Sequence, residues 1–153
     1  MSAFFYLTEF SNISDVKLAF LLLLFAHAAF GQSSVVGQWK TVDDSSGEVK
    51  AIVELFESKG TVSGKIVRIF DREHPDPTCE ACDEGDDRYQ KKIVGMEIIR
   101  GLVPDGDGYG SGEILDPENG RVYRCKVWVE EGNLIVRGYW GPFYRTQIWR
   151  KSS

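Results

Sequence analysis

Turn chemistry returns along this chain so often that no helix of ordinary length fits between one turn and the next. Asp43-Asp44-Ser45-Ser46-Gly47, Ser58-Lys59-Gly60, Pro104-Asp105-Gly106-Asp107-Gly108, Asp116-Pro117-Glu118-Asn119-Gly120, Glu131-Gly132-Asn133 and Gly141-Pro142 punctuate residues 35–151. Such clusters combine residues that accept left-handed backbone, fix φ, or bond their own backbone. The segments between them are short and rich in β-branched and aromatic residues, as strands are. Val49, Ala51, Val53 and Leu55 alternate with Lys50 and Glu54, and Tyr123, Cys125, Val127 and Val129 alternate with Arg124, Lys126 and Glu130. A period of two puts each set on one face of a pleated strand. The pattern predicts eight strands, over 35–42, 49–55, 62–70, 93–103, 109–115, 123–130, 134–140 and 144–151.

Strands joined in sequence by tight turns close most simply on themselves, because closure removes exposed edges. The predicted fold is all-β, a closed eight-stranded antiparallel up-and-down barrel. A two-sheet sandwich is the alternative, since strand count does not separate the two. Eight strands leave an interior that side chains fill or that holds one small ligand. At 153 residues the chain has room for one such domain. Its 18 Lys and Arg against 23 Asp and Glu give a net charge of −5, with no cationic run to track phosphates, so nucleic acid is not an expected partner. A membrane-spanning barrel needs a continuously apolar outer face, whereas Lys126, Glu130, Arg145 and Lys151 recur along the last strands.

Residues 18–30, LAFLLLLFAHAAF, form an apolar run too short for a spanning helix, which needs about 20 residues. With Lys17 before it and Ala29 and Gly31 at −3 and −1 of a cut before Gln32, the run has the form of a secretory signal. Residues 1–31 are therefore expected to be a signal peptide and 32–153 a single exported domain, periplasmic or extracellular and soluble. The acidic Glu9 and Asp15 upstream do not suit a signal n-region, and point to a true start at Val16. No Cys follows the apolar run to carry a lipid anchor. Removing Glu9, Asp15 and Lys17 takes away a net −1 and leaves the domain at −4.

Val36-Gly37-Gln38-Trp39 opens the first strand and Trp149-Arg150 closes the last. Here the chain resembles the lipocalin-like, or calycin, superfamily. The resemblance implies that Gly37, Trp39 and Arg150 close one barrel end, the guanidinium packed over the indole face. A closer resemblance spans nearly all of the domain. Trp39-Lys40-Thr41, Cys79-x-x-Cys82, Gly95-Met96, Ile114-Leu115-Asp116-Pro117, Val136-Arg137-Gly138-Tyr139 and Arg145-Thr146-Gln147 occur in the order found in the bacterial family called domain of unknown function 2147. That resemblance implies a small exported lipocalin-like protein and names no activity.

Candidate chemistry is sparse. The longest connection, 71–92, holds Cys79 and Cys82, and in an oxidising compartment a local disulfide is the leading reading. Redox catalysis would require a helix N-terminus at the first Cys. Zinc would require two further ligands, and His74 is the one histidine beyond residue 31. Calcium at Asp83, Glu84, Asp86 and Asp87 lacks the alternating acidic spacing. Neither a metal nor a cofactor is expected. Cys125 is expected to be a buried free thiol. Glu97 with Glu113 is the one carboxylate pair considered for acid-base work. Aromatic residues gather late in the chain, and Tyr123, Tyr139 and Trp140 are the candidate ligand-binding residues. The expected function is non-enzymatic binding of a small apolar or amphipathic ligand. A structural or interaction protein of the envelope with a filled barrel, contacting a partner through loop 71–92, is the alternative.

Overall fold

The computed structural model describes residues 34–71 and 74–152; the expected signal peptide lies outside them. Eight strands run β1 Gly37–Val42, β2 Val49–Ser58, β3 Thr61–Ile69, β4 Glu97–Asp105, β5 Gly108–Asp116, β6 Arg121–Glu130, β7 Asn133–Trp140 and β8 Phe143–Lys151. Each pairs antiparallel with its neighbour in sequence and β8 returns to β1, so the sheet is a closed barrel and not a sandwich. Several boundaries shift by a few residues, and the later starts of β4 and β1 have a visible cause. Ile93–Met96 is not strand: Gly95 adopts φ +90 and the Met96 amide donates to the Ile93 carbonyl at 3.1 Å, which turns the chain before β4 begins. Val35 and Val36 precede β1, and the Trp39 indole Nε1 donates to the Val35 carbonyl at 2.8 Å. Gly37 takes φ +136, backbone that side chains rarely adopt, and so allows this fold-back beneath the indole.

The interior is packed at one end. Trp39, Leu55, Val62, Ile99, Leu102, Val127 and Leu134 are almost wholly buried there. Removing one such large side chain from water contributes about 1.5–3 kcal/mol. Cys125 is buried beside them, and burial pushes its thiol up to about 12, which keeps it protonated and inert at neutral pH. As expected, it is a free thiol.

The closure of this end corrects one expectation. Trp39 stands opposite Lys151 and Lys40 opposite Arg150. Directly opposed residues share a face, so Lys151 faces the indole, its Nζ 5.9 Å from the ring centroid, and Arg150 points outward and is exposed. The cation over Trp39 is therefore Lys151, one residue beyond the arginine named from the sequence. These two pairs are the whole register between β1 and β8, whereas β7 and β8 pair from Leu134↔Trp149 to Trp140↔Phe143.

Candidate functional site

The other end of the barrel is open. Here the β1–β2, β5–β6 and β7–β8 turns and, between β3 and β4, Phe70, Asp71, Pro77 and Ile93 surround a cavity of about 1280 Å³. Alternation brings one or two apolar side chains of most strands to its wall, among them Val53, Ile66, Ile98, Ile114 and Val136, with Trp149 buried deeper in the lining. Gly138 adds no side chain. A Cβ built there would meet the Tyr123 Cβ at 3.5 Å and the Ile114 Cγ2 at 3.8 Å, ordinary contacts. A glycine thus widens the wall at a position where β7 would otherwise fill it. Near the floor the half-buried Gln147 Oε1 accepts from the Trp149 Nε1 at 3.1 Å.

The rim is polar and mostly acidic. Asp43, Asp44, Glu48, Asp71, Asp116 and Glu118 line the opening, against Lys50 and Arg145. Lys50 lies 4.0 Å from Asp43 and 3.7 Å from Glu118, and Arg145 of β8 bonds Asp44 of the β1–β2 turn, bridging the stretch where β1 and β8 no longer pair. The Ser45 hydroxyl and the Ser46 and Ser45 amides hold the Asp43 carboxyl well below the usual carboxylate range, so this turn stays charged. The β5–β6 turn is built likewise: Asp116 accepts from the Glu118 amide and the Asn119 side chain, and Gly120 closes it at φ +70 with a 2.8 Å bond to the Asp116 carbonyl.

Of the three aromatic candidates, Tyr123 and Trp140 line the mouth. Tyr139 does not. It lies opposite Arg124 and Tyr144, rings 6.1 Å apart, on the outer face. Sequence reasoning passed over Gly138 and Gln147. A glycine and a glutamine at inward positions of otherwise apolar strands are the signals that could have found them.

Residues 74–92 of the long connection form a structured cover beside the mouth. Cys79 and Cys82 form the disulfide, and both are buried, so neither is a thiolate ligand for a metal while the bond is intact. The segment lies on the β5–β6 turn: Cys79 Sγ is 3.7 Å from the Pro117 carbonyl, and a Cβ on Gly120 would overlap the backbone of Ala81. Its far end is held by Arg88, a buried guanidinium 2.7 Å from Asp86 and 3.4 Å from Glu113. Glu113 therefore faces an arginine, as does Glu97, 3.6 Å from Arg100, and neither carboxylate lines the cavity. Among the described residues no three His, Cys, Asp or Glu side chains gather as a metal site.

Arg88 holds the Asp86 carboxyl well below the usual carboxylate range. A depressed carboxyl stabilises the fold at every pH above its unfolded value, near 3.9, and this stabilisation is lost as pH falls further. Thermal midpoints are thus expected to fall below about pH 4, and Asp86→Asn to flatten that slope. An unchanged slope in the variant would show that Asp86 contributes nothing to it.

Three comparisons with known proteins place the chain. Residues 37–151 match the model of a family described as an uncharacterized protein conserved in bacteria. No curated protein matches. A solved Helicobacter pylori protein, described as belonging to the lipocalin family, superposes with a TM-score of 0.67 at 18% identity, covering 78% of this chain and 84% of that one, a likeness of fold alone. With its closed eight-stranded barrel and a family match over nearly all of the described residues, the chain belongs to the bacterial family domain of unknown function 2147.

Proposed function

We propose that the protein is a non-enzymatic binding module that takes the apolar part of a small amphipathic ligand into the open half of its barrel. The cavity carries this reading: about 1280 Å³ is ample for a ligand of lipid or drug size, and apolar walls beneath a polar rim sort an amphiphile end for end. The packed half would suit a purely structural barrel; the open half has no structural need of its own and favours binding. Export is part of the same proposal. Residues 1–31 act as the signal peptide, and the Cys79–Cys82 disulfide suits an oxidising compartment outside the cytoplasm. No helix among the described residues is long and apolar enough to cross a membrane, and β6 turns Arg124 and Lys126 outward, which a lipid-spanning strand does not tolerate at mid-bilayer.

Native mass spectrometry of protein purified from its own cells is expected to show a co-purifying small molecule, and a dry barrel would remove the proposal. Gly138→Phe directs a ring into the cavity from a position whose first carbon fits. Uptake of phenylnaphthylamine, followed by its fluorescence, is expected to weaken about tenfold or more, as when two methylenes lose their apolar site, while the thermal midpoint is kept. Equal uptake by both proteins would place the probe elsewhere.

A further inference from the structure

Charge is divided unevenly over the barrel. The chain is acidic, yet β6, β7 and β8 together hold seven cations and a single carboxylate, Glu130 at the packed end. The register sets Lys126 beside Arg137 and Arg137 beside Thr146, and puts Arg124 in line with Tyr139 and Tyr144. Since Cys125, Val127 and Val136 point into the core, these residues form the outer face. Lys126 is engaged by Asp105 at 3.1 Å, and Glu113 of β5 lies opposite Arg124 while contacting Arg88. Arg124 and Arg150 are exposed and make no ion pair with a described carboxylate.

At the β7–β8 tip this face meets apolar surface, Tyr144 and Ile148 on its own side of the strands and Trp140 and Phe143 on the side of the cavity rim. Trp140, Phe143 and Tyr144 at the β7–β8 tip are 67%, 67% and 62% exposed, and Ile148 on β8 is 57% exposed. A guanidinium stacks at each end of the patch: Arg121 lies 5.9 Å from the Trp140 ring, and Arg137 lies 4.6 Å from Tyr144 and 5.0 Å from Trp128. Exposed Trp and Tyr beside arginines are what the headgroup region of a bilayer accommodates, the rings at the boundary with the acyl chains and the cations among phosphates.

We propose that the outer face of β6–β8, with the β7–β8 tip, docks on the surface of an anionic lipid bilayer. Trp140, Phe143 and Tyr144 also line the cavity mouth, so docking sets the opening against the acyl chains. The rim carboxylates belong to the β1–β2 and β5–β6 sides and to Asp71 after β3, so the barrel lies on its β6–β8 side. A soluble polyanion would use the cations and leave Trp140 and Phe143 in water; a bilayer uses both.

The purified protein is expected to sediment with vesicles of phosphatidylglycerol in phosphatidylcholine, less so as salt rises, and not with phosphatidylcholine alone. Arg124→Ala and Arg150→Ala should each weaken binding about fivefold, and Phe143→Ser about tenfold. All three are exposed, so unchanged thermal midpoints separate lost docking from lost folding. Phenylnaphthylamine uptake without vesicles should be unaltered by the two arginine variants, so the docking test does not depend on the cavity reading. The proposal is overturned if the mixed vesicles do not bind at low salt. It is overturned equally if heparin binds as tightly and Phe143→Ser has no effect, which would identify a soluble polyanion.

Discussion

Trp39→Ala is expected to lower the free energy of unfolding by about 3–5 kcal/mol, the range for deleting a large buried aromatic. The indole is the largest of the fully buried side chains. Its removal leaves a cavity at the closed end and strands the Val35 carbonyl, which accepts from Nε1 at 2.8 Å. It also removes the ring that Lys151 covers. Arg150→Ala, at the neighbouring position of β8, is expected to stay within about 0.5 kcal/mol, as exposed substitutions do. Urea denaturation of both variants measures the contrast. A large cost at Arg150 would mean that the β1–β8 register is shifted by one residue, because that shift exchanges the face each side chain occupies.

The second large effect is expected at Gly120. Alanine there must adopt φ +70, costing about 1–2 kcal/mol, and its Cβ would overlap the Ala81 carbonyl, which is backbone and cannot rotate away. The disulfide segment must lift from the β5–β6 turn, and the total is expected to exceed about 2 kcal/mol. Gly132→Ala supplies the reference, since it has φ +79 and open space around the new carbon. The difference between the two variants is the cost of undocking the segment. Hydrogen exchange locates it: the Cys79 and Gln90 amides, bonded to Lys91 and Cys79 carbonyls, should exchange faster in Gly120→Ala alone. Equal destabilisation by both variants would show that the segment does not rest on this glycine.

What could be read from the sequence was whatever depends on near neighbours. Alternation from Tyr123 to Glu130 and the turn clusters are local, so all eight strands and their order were legible, as was a disulfide between two cysteines three positions apart. The span Ile93–Met96 is apolar enough for a strand, but the left-handed φ of Gly95 turns it, and hydrophobicity carries no sign of φ. The exchange of Arg150 for Lys151 arises because the two residues are adjacent and only pairing between the chain's far ends selects which faces inward. Tyr139 and Trp140 posed the same one-residue ambiguity, which the β6–β7–β8 register resolves by putting Tyr139 outside. The cavity was not legible either. It depends on the heights to which tilted strands bring large and small side chains, so that Trp39 and Leu55 fall in one half and Gly138 in the other.

The brevity of the β1–β8 register also bears on how the molecule is made. Seven of the eight strand pairings are formed by segments adjacent along the chain, and they can accumulate one hairpin at a time. The last joins Trp39 to Lys151, closing a loop of nearly the whole domain for two residue pairs, and loop entropy opposes it until the interior is assembled. A nascent chain would therefore remain a curled open ribbon, with two bare edges, until β8 has been synthesised. A fold that completes only with the nine residues of β8 delays premature locking.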